Sequence, residues 1–143
     1  MKAMLGIGLI AAAALFSALS PDRLFAQACK DEEAMVDEFK QGIVTTVDTV
    51  KKESLDSFEK GFHQKTCLTK LTLCLNVMDE VLNCLDKASQ DATATKEQTD
   101  ASKAQKESYA KLKAKLTQYK SQLKAAEASK EAKALIEKFD LAN

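Results

Sequence analysis

The sequence predicts an all-α protein, an antiparallel three-helix bundle with a long, partly coiled-coil third helix. Three observations lead there. Beyond residue 28 the chain has no proline, and its only glycines are Gly42 and Gly61, so few breakers interrupt a run of good helix formers. Apolar residues recur at spacings of three and four, the helical period. Short polar connections separate the periodic stretches, and short helix connections make antiparallel neighbours.

The first 28 residues read as a secretory signal peptide, leaving residues 29–143 as a single helical domain. Lys2 forms a short positive start, Met4 to Leu19 an apolar run, and Pro21 to Ala28 a polar tail ending in small residues. Ala26-Gln27-Ala28 fits the small-x-small cleavage rule, so the mature chain is expected to begin at Cys29; a cut after Ala26 is the second choice. The run is short for a membrane span of about 20 residues, which weighs against an uncleaved anchor. Gln27 and the distant Leu24 make a poor lipobox before Cys29. The expected location is therefore secreted and extracellular, with no stable membrane span after cleavage.

Helix one is expected over about residues 30–60. Asp31, Glu32, Glu33, Asp37 and Glu38 load its start with negative charge, which suits the positive end of the helix dipole. Val36, Phe39, Ile43, Val47, Val50, Phe58 and Phe62 supply its apolar face, which weakens around Glu53 to Ser57, where only Leu55 is large and apolar. Gly61 fits the C′ position, with Phe62 making the hydrophobic cap contact that follows it.

The central helix is expected over about residues 67–88, with Thr66 as its cap. Its large apolar residues cover roughly 220° of the surface, twice the stripe of about 100° that one neighbour needs, so it should be covered from two sides. Lys70 is the only charge inside that arc.

The third helix is expected over about residues 96–139, opened by a Thr95–Gln98 capping box. Tyr109, Leu112, Leu116, Tyr119, Leu123 and Ala126 alternate in steps of three and four, as in a coiled-coil seam. The next seam positions are Lys130 and Lys133, while the apolar face passes to Ala128, Ala132, Leu135, Ile136 and Phe139. A kink, stutter or frayed overhang is therefore expected near Glu127 to Glu131. Residues 92–106 carry no large apolar side chain.

Four cysteines after a signal peptide argue for disulfides. In an antiparallel hairpin the start of helix one lies beside the end of the central helix, which favours Cys29–Cys84. Cys67 and Cys74 would lie about 10.5 Å apart along one helix, beyond the reach of about 7 Å for bridged Cα atoms. They bridge each other if Cys67 sits in the turn; otherwise they are buried free thiols or link two chains.

Several function classes find no support. Removing residues 1–28 takes away Lys2, Arg23 and Asp22, leaving 19 lysines, no arginine and 20 acidic residues. That balance is not an electrostatic footprint for nucleic acid, and the usual bidentate fork for phosphate is missing. No cysteine spacing is the short C-x₂₋₄-C of structural zinc, and His63 is the only histidine; a lone histidine there reads as a solvated turn residue. No phosphate loop, nucleophile elbow or zinc-protease motif occurs. No cofactor, metal or catalytic residue is expected, and the chain reads as a non-enzyme. Phe39, Ile43, Phe58, Leu71, Met78 and Leu82 suit core packing and are also the candidate lining of an apolar ligand site between the helices.

With its leader, Cys29 near the mature start and Cys67, Cys74 and Cys84 in one Leu-rich helix, the chain resembles the small secreted insect proteins of the tsetse midgut EP-protein domain type. The chemosensory proteins carry close cysteine pairs, and the insect odorant-binding proteins need a C-x₃-C that Cys67 and Cys74 do not form. The resemblance implies a secreted gut or salivary protein with no catalytic residues to carry over. The expected function is a secreted, non-enzymatic interaction protein stabilised by disulfides, its lysine- and glutamate-rich third helix facing a protein partner or a second copy. The alternative is an extracellular carrier of a small apolar ligand.

Overall fold

Five α-helices account for most of residues 29–141, the range that the computed structural model describes; the expected signal peptide lies outside it. They are α1 (Lys30–Lys52), α2 (Leu55–Lys60), α3 (His63–Ser89), α4 (Lys96–Ala125) and α5 (Ser129–Glu137). No strand occurs among the described residues. The chain is all-α.

The helix expected over 30–60 is two helices. Its apolar face lapses after Val50, and Glu53 turns extended at φ −98°, ψ 150°. Ser54 then restarts the helix, its Oγ accepting from the Ser57 N–H at 3.3 Å. The central helix begins four residues earlier than expected, at His63. Thr66 is therefore inside its first turns and does not cap it; its N–H bonds the Phe62 carbonyl at 3.0 Å. The helix expected over 96–139 breaks at Ala126–Ala128, where both alanines are extended. The break falls where the seam meets Lys130 and Lys133, and α5 turns Ala132 and Ile136 inward instead. Gln64 holds the end of α4: its Nε2 donates to the Leu123 and Ala126 carbonyls at 3.0 and 3.1 Å, occupying acceptors that a helix C-terminus leaves open. The start of α4 carries the expected capping box. Gln98 N–H donates to Thr95 Oγ1 at 3.2 Å, and Thr95 N–H donates to Gln98 Oε1 at 2.8 Å.

α3 lies between α1 and α4, as the width of its apolar arc demands, and α5 folds back to touch all four other helices. Ile43, Val50, Phe58, Leu71, Met78, Leu116 and Ile136 are shut off from solvent. Each such side chain contributes about 1.5–3 kcal/mol by leaving water. Lys70, the charge within the apolar arc, reaches α1. Its Nζ donates to the Gly42 carbonyl at 3.1 Å and to Thr46 Oγ1 at 2.7 Å. Thr46 is itself buried and donates back to Gly42 at 3.0 Å. The ammonium therefore has its hydrogen-bond partners at the core edge, where an unpaired one would be costly.

Candidate interaction surface

Five of the six residues singled out as an apolar lining belong to the core or pack against it. Ile43, Phe58, Leu71 and Met78 are buried; Phe39 packs half-buried against the same cluster, and Leu82 is half-buried. Of the six, Phe58 borders a surface hollow.

Cys29 and Cys84 are bonded, with their Cα atoms 5.8 Å apart. Cys67 and Cys74 are not bonded to each other: both are buried free thiols. The early start of α3 decides this, because it places Cys67 in the helix two turns from Cys74. Burial pushes both thiols up to about 11, with Lys70 beside Cys67 and Lys40 beside Cys74 offsetting part of the effect. A thiol so protonated and covered is a poor nucleophile.

Polar contacts line the outer helices. Lys106 pairs with Asp86 and Lys113 with Asp79, tying α4 to α3 across exposed ground; such pairs contribute little to stability. Gln105 Nε2 donates to Glu33 Oε1 at 2.8 Å, linking α4 to α1. Nearby, burial together with the charges of Glu33 and Asp37 pushes the Tyr109 phenol up to about 12.

The α2–α3 corner departs most from expectation. The residue in the left-handed region is Phe62, at φ 53°, one position later than the Gly61 that the sequence suggested; Gly61 sits at φ −78°. Gly61 has a different duty. A Cβ there would lie 2.4 Å from His63 Nε2, so only glycine leaves room for the imidazole. His63 is consequently no solvated turn residue. Its ring stacks on Phe58 with centroids 5.8 Å apart, and Nε2 lies 2.5 Å from Glu53 Oε2. That oxygen is buried and lacks a directed hydrogen bond, so the close imidazole is its main compensation.

Phe62 does not make the inward cap contact expected of it. It is 72 % exposed, the most exposed large apolar side chain of the described residues. A bulky residue in the left-handed region costs about 1–2 kcal/mol. Phe62 itself borders a hollow of about 240 Å³, lined also by Phe58, Glu59, His63, Gln64, Lys65, Leu68 and Ser129. The sequence alone fits Gly61 to the reversal; its displacement to Phe62 follows from where α2 ends and from the His63 ring.

A second hollow, of about 570 Å³, opens where the starts of α1 and α4 meet the end of α3. Cys29, Leu85, Ala88 and Ala101 form its apolar part, and Glu33, Gln98 and Gln105 part of its polar edge. Among the described residues no three His, Cys, Asp or Glu side chains are grouped to hold a metal ion, and no helix is long and apolar enough to cross a membrane. No family model matches the chain, and comparison with curated proteins and with solved structures finds no match.

Proposed function

We propose that the chain is a secreted, non-enzymatic interaction protein built on an antiparallel three-helix bundle of α1, α3 and α4. One observation carries the reading: Phe62 stands 72 % exposed on a left-handed backbone beside a hollow with apolar walls. Strain of this kind persists where surrounding structure imposes it, and it clusters at functional positions. Exposed aromatics beside pockets are the anchors from which interfaces draw most of their energy. The partner is thus expected at the α2–α3 corner, not along the lysine-rich length of α4. Kinship with the tsetse midgut EP-protein type belongs to the same proposal.

The carrier reading draws on the larger hollow near Cys29, whose volume lies within the range of small-molecule sites. Native mass spectrometry of the secreted protein separates the two. Added mass of a few hundred daltons, lost on denaturation, selects the carrier. A polypeptide mass without ligand, together with binding that Phe62→Ser abolishes, selects the interaction protein.

A further inference from the structure

We infer that the α2–α3 corner is a two-fold, self-complementary contact through which two copies of this chain pair, each inserting Phe62 into the hollow beside the other's Phe62. The inference rests on the interaction reading and names its partner. A two-fold interface uses one patch on both copies, so the patch must carry both the projection and its receptor. This corner carries both. Phe62 projects, 72 % exposed, and also forms one wall of a hollow of about 240 Å³ whose other walls include Phe58 and Leu68. A dry cavity of about 150 Å³ already accepts a benzene ring, so a phenylalanine ring has room.

The rim charges fit the same symmetry. Glu59 and Lys65 border the hollow, both side chains are exposed, and neither forms an ion pair among the described residues. A two-fold axis through the corner pairs Glu59 of each copy with Lys65 of the other, once on either side of the exchanged rings. Such charges fix register and exclude wrong partners more than they add affinity. A contact confined to this one corner makes a weak, exchanging dimer, since stable complexes bury about 1,200 Å² or more.

The test is sedimentation equilibrium of the secreted chain from micromolar to millimolar concentration, with native mass spectrometry of the same samples. The wild type should pass from monomer to dimer. Phe62→Ser should weaken the dimer about thirtyfold, the size of a hot-spot loss. Phe62→Gly should do the same while preserving helical circular dichroism, because glycine suits the left-handed backbone. Glu59→Lys and Lys65→Glu should each be monomeric alone, since each sets like charges together, and an equimolar mixture of the two should form a heterodimer. A chain that stays monomeric throughout overturns the pairing. So does a dimer that both Phe62 variants leave intact, or a mixture that forms no heterodimer. A monomer of clean polypeptide mass would leave the broader interaction reading standing; a bound apolar molecule in the native mass would remove that reading instead.

Discussion

The two ends of the molecule are held together by different means. At the α5 end all five helices meet, and Phe58, Leu116, Leu123, Ile136 and Phe139 are buried among them. The rings of Tyr119 and Phe139 pack there at 4.3 Å. At the Cys29 end α5 is absent, and the facing part of α4 offers Ala101, Ser102 and Gln105 to a hollow of about 570 Å³. There a disulfide joins α1 to α3. Where side chains are too small to repay the entropy of ordering by burial, a covalent link supplies the constraint.

Opening that link gives the largest expected effect. The bridged cysteines are 55 residues apart, for which the chain-entropy relation gives about 4 kcal/mol. Urea unfolding of the Cys29→Ser, Cys84→Ser variant should show that loss. Amide exchange should rise most at the start of α1, the end of α3 and the first turns of α4. Equal acceleration in α5 would break the contrast between the ends. At the other end the stabilising element is packing. Leu116→Ala should cost about 3 kcal/mol, with exchange rising in α4 and α5 while the disulfide holds the start of α1.

Much of this division is legible in the chain. The absence of large apolar residues over 92–106 and the antiparallel placement of Cys29 against Cys84 identify the weak end and its staple. The all-α class, the Thr95–Gln98 box and the break after Ala126 follow from local rules that apply wherever those residues occur. Two features were less accessible because tertiary fit decides them. Gly61 looks like a residue reserved for a left-handed backbone, yet it is needed for its missing Cβ, under the His63 ring. Phe62 therefore takes the left-handed position, and its direction follows from the backbone and not from its hydrophobicity. The fate of Cys67 and Cys74 turned on where α3 begins, and helix boundaries are the least certain part of any periodicity argument.

Alkaline titration compares the regions in a second way. Cys67 and Cys74 ionise near 11 when folded against an ordinary value of 9.0, and Tyr109, toward the Cys29 end, near 12 against 10.0. All three are raised, so the folded state keeps protons that the unfolded chain has released. Their contribution is complete below the unfolded values and is lost as pH climbs through the folded ones. The urea midpoint should therefore fall first between about pH 9 and 11, through the thiols, and further toward 12 as Tyr109 ionises. Tyrosinate absorbance checks the second phase. At pH 8 both thiols should resist iodoacetamide until urea unfolds the chain; prompt alkylation in the native state would show that the α3 core opens locally.

The smallest effects come from one substitution made at two places, with opposite signs. Gly42 lies within α1, and a Cβ there meets only the Lys70 Cδ at 4.0 Å, an ordinary contact. Gly42→Ala should stabilise by up to about 1 kcal/mol, the helix propensity that glycine forfeits, with the Lys70 hydrogen bonds to Gly42 and Thr46 intact. Gly61 has an equally ordinary φ, so alanine there gains no relief and meets no backbone strain. Its Cβ instead drives the His63 ring from Phe58 and leaves Glu53 Oε2 buried without the imidazole. That should cost about 1–2 kcal/mol, the range for a buried polar atom losing its partner. The double variant Gly61→Ala, His63→Ala separates the two parts of this cost. If the ring is the obstacle, adding alanine at 61 to the His63→Ala protein should cost almost nothing. A full loss in that background would instead place the requirement for glycine in the backbone, against the Ser57 carbonyl that a Cβ would approach to 3.1 Å.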